Sequence, residues 1–351
     1  MAYRRSRGKG RKMQPAVHTL TFATSSVTAG NTGTFYIDLS QVASLVNRRF
    51  YRQGLQWAVS NIKLKSLQSG SVQIGKLPNT WVMSNAWEKG FRAWQQMNKE
   101  AMEETSVKPK FLDFKIYADG EHHAAGSGAN LMPADFAGNF YVNGEWEYSK
   151  FVIPRISATP IVHAGETVDR DVVAVGPSYS TNHPITNNLA VSLIEGYAAS
   201  RGLPNIKDPN TPADADDASG TTPENWMAAL QNEGTDQDEQ VLEDMITENN
   251  QAPYPFENSI DPDTGLALTD TYYPGGANQA PTLEWHDTVE IYSASGVAGA
   301  GIGTQNAKGG MFPCGLIRID WSPEVSANLV LQVDLVPGAH RGYLCSPMTD
   351  M

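Results

Sequence analysis

Short apolar runs with a two-residue period constrain the fold of this chain more than any other feature of its sequence. Leu20 and Phe22 alternate with threonines, and Phe35 and Ile37 repeat the pattern after a glycine turn. Such alternation is typical of strands with one buried face. The 31 glycines and 21 prolines separate these runs, as many tight turns require. Seven to nine short strands with few helices predict an all-β protein, a β-sandwich or jelly roll.

Later parts of the chain continue the strand pattern. In the run from 55 to 65 the apolar positions change phase near Ser60-Asn61, which predicts a β-bulge. Strands are expected again at 111–117, near 146–153, 170–175, 190–197 and 284–292, and most clearly at 317–321 and 329–335.

Two helices are expected among the strands. Ser40 is placed to cap a short helix after the second strand. The longer helix is predicted over 86–104, because Asn85 and Glu88 have capping-box spacing and large apolar residues form one stripe. The stripe consists of Trp87, Phe91, Trp94, Met97 and Ala101.

Charge is distributed very unevenly along the chain. Residues 1–65 contain eleven Lys and Arg and one acid, a net charge of +10, whereas the other 286 residues carry a net charge of −22. Between Lys207 and Lys308 there are nineteen acids and no Lys or Arg. One pole therefore favours a polyanion and another repels it. The proline-rich stretch 203–282, with two short helical patterns, is predicted to be an acidic insertion facing away from the basic pole.

Residues 1–14 are predicted to form a disordered basic arm. The first twelve carry six cations and no acid, with too little apolar surface to fold alone. Nucleic acid is the commonest ligand of such a segment, and a nuclear-localisation signal is the alternative interpretation. The candidate contacts in the arm are Arg4, Arg5, Arg7, Lys9, Arg11 and Lys12.

A second set of cations follows in the body, taken as residues 15–351. Between 48 and 52 arginines interleave with Phe50 and Tyr51, a mixture that suits phosphate contacts and base stacking. The other interpretation is an ordinary helix exit with solvated arginines. Two lysines also share the strand face opposite Ile62 and Leu64. The additional nucleic-acid candidates are Arg48, Arg49, Arg52, Lys63 and Lys65.

Signatures of catalysis are not found in the sequence. The glycines of 299–303 lack the Lys-Ser/Thr that ends a phosphate-binding loop. Glu121-His122-His123 lacks zincin spacing and is interpreted as a loop with exposed histidines. The turn at 261–265 matches a calcium loop only in part. We therefore expect neither an enzyme nor a cofactor, while a loosely bound divalent cation between subunits stays an alternative.

The remaining features concern location. No apolar run approaches ~18 residues, so no membrane insertion is expected. Cys314 and Cys345 are the two cysteines, too few for a disulfide framework, which favours a reducing compartment. Pairing between them stays open.

Several short segments together resemble capsid proteins of circular Rep-encoding single-stranded DNA (CRESS-DNA) viruses, particularly environmental and marine ones. They are scattered over about 77–320 and are descriptive rather than catalytic. These segments are Leu77-Pro78-Asn79-Thr80-Trp81, Trp87-Glu88-Lys89 to Trp94, Lys108 to Lys115, Ser192 to Tyr197, Tyr273-Pro274-Gly275-Gly276 and Pro313 to Ile317.

The resemblance implies a single jelly-roll β-sandwich of about eight strands with a few short helices. It also implies icosahedral self-assembly in the host nucleus and single-stranded DNA packaged in the virion against the basic arm. Six charges on each of about sixty subunits would neutralise roughly 360 phosphates, so cations of the body would have to help. A host-cell receptor or glycan is a further expected partner.

Two other functions stay open on the sequence alone. Eight Trp and thirteen Tyr would suit a carbohydrate-binding, lectin-like β-sandwich. The basic tail would also suit a nuclear DNA-binding protein with a targeting signal.

Overall fold

The computed structural model describes residues 14–103, 113–144, 146–154, 167–178, 189–199, 282–293 and 301–350. Two predictions therefore lie largely or wholly outside the described residues: the arm cations of residues 4–12, and the acidic insertion 203–282 apart from residue 282. The strands are β1 (Thr19–Ala23), β2 (Gly33–Asp38), β3 (Leu55–Ser66), β4 (Gly70–Lys76), β5 (Lys150–Pro154), β6 (Thr167–Val173), β7 (Ala190–Ser192), β8 (Glu284–Ile291), β9 (Gly303–Phe312), β10 (Leu316–Pro323), β11 (Val330–Leu335), β12 (Pro337–Gly338), β13 (Gly342–Tyr343) and β14 (Cys345–Pro347). The helices are α1 (Leu39–Asn47), α2 (Trp81–Glu103), α3 (Gly120–Ala125) and α4 (Leu193–Ala199), with short 3-10 turns at Ser127–Ala129, Pro313–Gly315 and Met348–Asp350.

Two antiparallel sheets form a β-sandwich. One has the order β1-β11-β3-β9, with β14 also pairing with β3, and the other has the order β2-β10-β4-β8. The eight sandwich strands are, in chain order, β1, β2, β3, β4, β8, β9, β10 and β11. The first sheet contains the first, eighth, third and sixth of them, and the second sheet contains the second, seventh, fourth and fifth. This alternation between sheets is the strand order of a jelly roll. The predicted fold class is confirmed.

The core between the sheets is built from the alternating apolar residues. Leu20 and Phe22 of β1 are buried, while Thr19 and Thr21 face solvent. Removing one face of each strand from water is the main driving force for closing the two sheets. Inward residues of the other strands include Ile62, Leu64, Val72, Ile74, Ile317, Ile319, Trp321, Leu331 and Val333.

The β-bulge expected near Ser60 is confirmed. Asn61 pairs with Asp334 and Val59 pairs with Leu335, so Ser60 is the additional residue on β3. Its hydroxyl donates a hydrogen bond to the carbonyl of Asp334 at 2.9 Å. The bulge shifts the inward phase, which buries Ile62 and keeps the lysines at 63 and 65 on the outer face.

The jelly roll is interrupted between β4 and β8. Residues 77–283 lie between these two neighbouring antiparallel strands, and their described part contains α2, α3, α4 and a separate three-stranded sheet. In that sheet β5 pairs antiparallel and β7 pairs parallel with β6. The strands predicted near 146–153, 170–175 and 190–197 are therefore present, but none belongs to the sandwich sheets.

Two strand predictions in the interruption need correction. Residues 193–199 form α4, so the strand predicted at 190–197 ends at Ser192. Within 113–117 no regular strand forms, and Tyr117 makes a single bridge to Val173. Burial alone explains the apolar alternation there, since Phe114 and Ile116 are buried in a second core under α2.

Helix α2 begins earlier than the predicted residue 86. Thr80 lies before its first turn and its hydroxyl accepts a hydrogen bond from the Met83 amide at 3.4 Å, so Asn85 is inside the helix and the predicted capping box is wrong. The apolar stripe is confirmed from Trp87 to Met97, because Trp87 is buried in the second core and Phe91, Trp94 and Met97 pack against it. The side chain of Ala101 lies outside the described residues.

Helix α1 is capped by a buried carboxylate instead of Ser40. Asp38 Oδ1 accepts hydrogen bonds from the amides of Ser40 at 3.0 Å and Gln41 at 3.2 Å. Its Oδ2 accepts from Gln53 Nε2 at 3.1 Å and Trp146 Nε1 at 3.2 Å. The Ser40 prediction is wrong because an aspartate two residues earlier offers its Oδ1 to the free amides of the first turn, while its Oδ2 accepts from side chains.

Candidate nucleic-acid interface

Residues 15–17 are attached to the rest of the body at the C-terminal end of α1. Arg49 Nη1 donates to the carbonyl of Pro15 at 2.9 Å, and the amide of Val17 donates to Asn47 Oδ1 at 3.0 Å. The hydroxyl of Tyr343 donates to the carbonyl of Val17 at 2.6 Å. Residues 15–17 are thus held between α1 and the C-terminal hairpin.

Four arginines surround this attachment, and we call them the arginine cluster: Arg48, Arg49, Arg52 and Arg341. Arg48 ends α1 in the left-handed conformation with φ of 52°, and its amide donates to the Ser44 carbonyl. Arg341 has the same φ, and its Nη1 donates to the carbonyl of Phe50. Arg48 and Arg52 are exposed. Cations beside the last carbonyls of a helix are also favoured by its dipole.

Next to the arginine cluster lies a cavity of about 550 Å³, which we call the aromatic pocket. Phe50, Trp87, Phe91 and Phe114 contribute its rings, and Arg52 and Arg341 its cations; His340 also lines it, and burial and the charge of Arg341 lower the pKa of that ring. The Trp87 and Phe91 rings are stacked with centroids 5.0 Å apart, and Phe114 lies 6.1 Å from each.

A carboxyl group also lines the aromatic pocket. Asp113 Oδ1 accepts a hydrogen bond from the Gln53 amide at 3.3 Å. Its Oδ2 is buried and has no hydrogen-bond partner within the part of the chain that the structure describes. Burial raises the pKa of Asp113 to about 7, and the charges of Lys115 and Arg52 oppose that rise.

The two predicted lysines lie elsewhere. Lys63 and Lys65 are half-buried on the outer face of the first sheet, opposite Gln332 and Val330 of β11 and Asn306 and Thr304 of β9. Lys63 is eight residues beyond Leu55 on β3, about 26 Å at the rise of an extended strand. The structure brings Arg48, Arg49 and Arg52 together at the arm but places the lysines at the other end of β3.

Sequence reasoning missed Arg341 and Asp113. Arg341 comes in the run His340-Arg341-Gly342, where glycine-containing turn chemistry offers a signal for an exposed hairpin residue. Its position beside Phe50 depends on a contact across 291 residues of sequence. The sequence contains no signal for Asp113, because the burial of its carboxyl oxygen without a hydrogen-bond partner depends on tertiary packing.

A second groove, of about 350 Å³, lies on the other sheet. Arg318 forms ion pairs there with Asp119 at 2.9 Å, Glu121 at 2.7 Å and Asp320 at 3.0 Å. Trp285, which is 63 % exposed, lines the same groove. Paired carboxylates beside an exposed indole make this a polar groove with one flat apolar wall.

The interpretation of residues 121–123 as an exposed loop is wrong. His122 and His123 lie in α3 and are 0 % and 2 % exposed. His122 Nδ1 accepts from the Ala118 amide at 3.0 Å and its Nε2 hydrogen-bonds Asn130 Oδ1 at 2.8 Å. Burial lowers the pKa of His122 to about 4, so the ring is a neutral member of a buried polar network.

Three further observations concern metals, thiols and membranes. Across the described ranges, no three His, Cys, Asp or Glu side chains converge in a way that would hold a metal ion. Cys314 is buried, Cys345 is half-buried, and both are free thiols. Of the helices in the described residues, none combines the length and the apolar character that crossing a membrane requires.

Comparison of the sequence with protein-family models found no match, and comparison with curated proteins found no relative.

Proposed function

We propose that this chain is a viral capsid subunit that self-assembles into an icosahedral shell and packages single-stranded DNA without sequence specificity. The observation that carries the proposal is the attachment of the arm. Residues 15–17 are hydrogen-bonded at the arginine cluster, and the six cations of residues 1–12 precede them in the sequence. One strand of DNA bridges both sets of cations, and phosphate contacts of this kind are independent of sequence.

The jelly roll supports the same proposal through its shape. A closed sandwich whose strands occupy two sheets leaves loops at its ends for contacts with neighbouring copies. In the proposed shell the arginine cluster faces the interior and the acidic segment 203–282 faces outward. Virion assembly takes place in the host nucleus, and the arm also serves as the targeting signal.

Electron microscopy of the expressed chain, with nuclease protection of bound nucleic acid, tests the proposal. The expected result is uniform shells that protect single-stranded DNA. A variant lacking residues 1–12 is expected to form shells with much less DNA, because the body interfaces remain. A monodisperse monomer under varied salt and pH, with no protected nucleic acid, contradicts the proposal. Parallel loss of shells and DNA in the truncated variant would mean that the arm acts in assembly.

A second candidate function is carbohydrate binding, and the Arg318 groove favours it. The exposed indole of Trp285 offers a flat surface for a sugar ring, and the charged side chains around Arg318 offer hydrogen bonds at its edge. A glycan array with the wild type and Trp285→Ala tests this. Signals lost in the variant support a glycan receptor site, which is compatible with a capsid exterior; no signal from the wild type excludes it for the glycans displayed.

A further inference from the structure

We propose that the aromatic pocket holds one base of the packaged single-stranded DNA and selects bases that carry an exocyclic amino group: cytosine, adenine and guanine over thymine. The inference rests on the proposed function and assigns a binding subsite to it. The neighbouring phosphates lie on the arginine cluster, next to the start of the arm.

The walls of the pocket fit a flat ring. Its volume of about 550 Å³ is within the range of small-molecule sites, and aromatic side chains form much of its surface. Phe91 stacks on Trp87 and lies 6.4 Å from the nearly parallel ring of Trp94, but it is only half-buried, so part of its ring surface stays open to a ligand. Bases stack on such rings in proteins that bind single strands.

Asp113 supplies the selectivity. A buried carboxylate oxygen without a partner is costly, and a ligand N–H donor directed at Oδ2 removes that cost. The amino group of cytosine is a donor that Asp and Glu side chains recognise in nucleic acids. Thymine presents two carbonyl oxygens around a single N–H, and these oxygens repel a carboxylate.

The cations explain why the ligand is part of a polyanion. Arg52 and Arg341 line the same pocket as Asp113, so a phosphate attached to a bound base meets guanidinium groups. In the Arg318 groove, by contrast, the carboxylates of Asp119, Glu121 and Asp320 already face a guanidinium. Of these two cavities, the aromatic pocket therefore has the unmatched hydrogen-bond acceptor.

The test is fluorescence polarisation of the full-length protein with labelled (dC)10 and (dT)10 at near-physiological salt and pH 8, where Asp113 is ionised because its pKa is raised only to about 7. We expect (dC)10 to bind about tenfold more tightly, the effect of one hydrogen bond to a charged group. Asp113→Asn should bring the two affinities within about twofold of each other, with weaker (dC)10 binding and with (dT)10 binding no weaker than in the wild type. Glu324→Gln, which changes an exposed carboxylate at the turn after β10, is the matched control and should keep the preference.

A second variant keeps the test valid if Asp113→Asn fails to fold. Arg52→Gln changes an exposed side chain and should weaken both oligonucleotides without changing their ratio. Equal, salt-sensitive binding of (dC)10 and (dT)10 by the wild type would overturn the base subsite and leave the proposed function intact. Binding of neither oligonucleotide would contradict both. A loss of shells in Asp113→Asn, with the ratio unchanged, would assign the pocket to a subunit contact and overturn the inference.

Discussion

The sequence predicts one set of cations in the body, Arg48, Arg49 and Arg52 with Lys63 and Lys65, but the structure places the arginines and the lysines on two different surfaces. Arg49 holds the carbonyl of Pro15, and Arg52 and Arg341 border a partly open pocket with aromatic walls. The lysines lie on an open sheet face among Gln332, Asn306 and Thr304. Both groups carry positive charge, but only the first combines it with enclosure and a neighbouring basic segment.

This difference teaches that the setting of a cation decides what it is able to bind. Exposed charges on a flat face are screened by salt and attract any anion weakly. Charges beside a cavity act together with stacking surfaces and directed hydrogen bonds. We therefore rank the arginine cluster above the lysines as a DNA contact, and each prediction below tests one part of that ranking.

The largest expected effect concerns Asp113, whose buried carboxyl group distinguishes the aromatic pocket from the open sheet face. Burial raises its pKa to about 7 from an ordinary value of 3.8, so between these pH values the folded chain holds a proton that the unfolded chain has lost. Stability contributed by this group therefore falls as pH rises through the window. Asp113→Asn should stabilise the protein at pH 8, by up to roughly 4 kcal/mol, and have little effect at pH 4.

Denaturant unfolding of wild type and Asp113→Asn at pH 4 to 8 measures this difference. The comparison must be between the two proteins, because His122 acts in the opposite sense: its pKa is lowered to about 4, so its contribution is lost as pH falls from 6.5. Lys115, Arg52 and Asp38 also influence the carboxyl group of Asp113 and are the same in both proteins. A pH-independent difference would show that Asp113 is ionised normally in the folded state.

The next effect compares the two cation groups directly. The triple variant Arg48→Asn, Arg49→Gln, Arg52→Gln should bind single-stranded DNA at least about tenfold more weakly and lower the salt slope by about 2, since each phosphate contact contributes ~0.7. The double variant Lys63→Gln, Lys65→Gln should change affinity less than about twofold. Asparagine is chosen at position 48 because Arg48 has a positive φ, which asparagine adopts more readily than other non-glycine residues. Equal losses in both variants would break the ranking.

A smaller effect is expected for the hydrogen bond between Arg49 and the arm. Arg49→Gln removes the donor to the Pro15 carbonyl, which should loosen residues 15–17 by about 1 kcal/mol. Hydrogen exchange at the amide of Val17 measures this opening, because that amide bonds Asn47 in the same attachment. Arg52→Gln is the matched control. Unchanged protection in Arg49→Gln would mean that Tyr343 and Asn47 hold the segment alone.

The sandwich could be predicted from sequence because burial of one face imposes a two-residue period, and the shift at Ser60 revealed even the bulge. Which strands belong to which sheet could not be predicted from sequence, since the pairing of β6 with β7 depends on contacts between distant segments. Helix α2 was misplaced at its start because Asn85 and Glu88 reproduce a capping pattern inside a helix that Thr80 precedes.

The site was predicted in part for a similar reason. Arg48, Arg49 and Arg52 are neighbours in sequence, so one local pattern found all three. Arg341 joins them through the fold, and the unsatisfied oxygen of Asp113 appears only when Gln53 and the aromatic rings are packed around it. Local motifs thus reveal charge, whereas enclosure has to be read from tertiary structure.

The smallest effect is expected on the open sheet face. Lys63→Thr with Lys65→Thr places β-branched residues at outward strand positions, where strand propensity favours threonine and no ion pair is lost among the described residues. The free energy of unfolding should change by no more than about 0.5 kcal/mol, as is usual for surface substitutions. Denaturant unfolding and polarisation with (dT)10 measure both properties in one preparation. A large loss of DNA affinity with unchanged stability would make this face a second DNA surface equal to the arginine cluster, and a large loss of stability would show that the lysine side chains pack on their cross-strand neighbours.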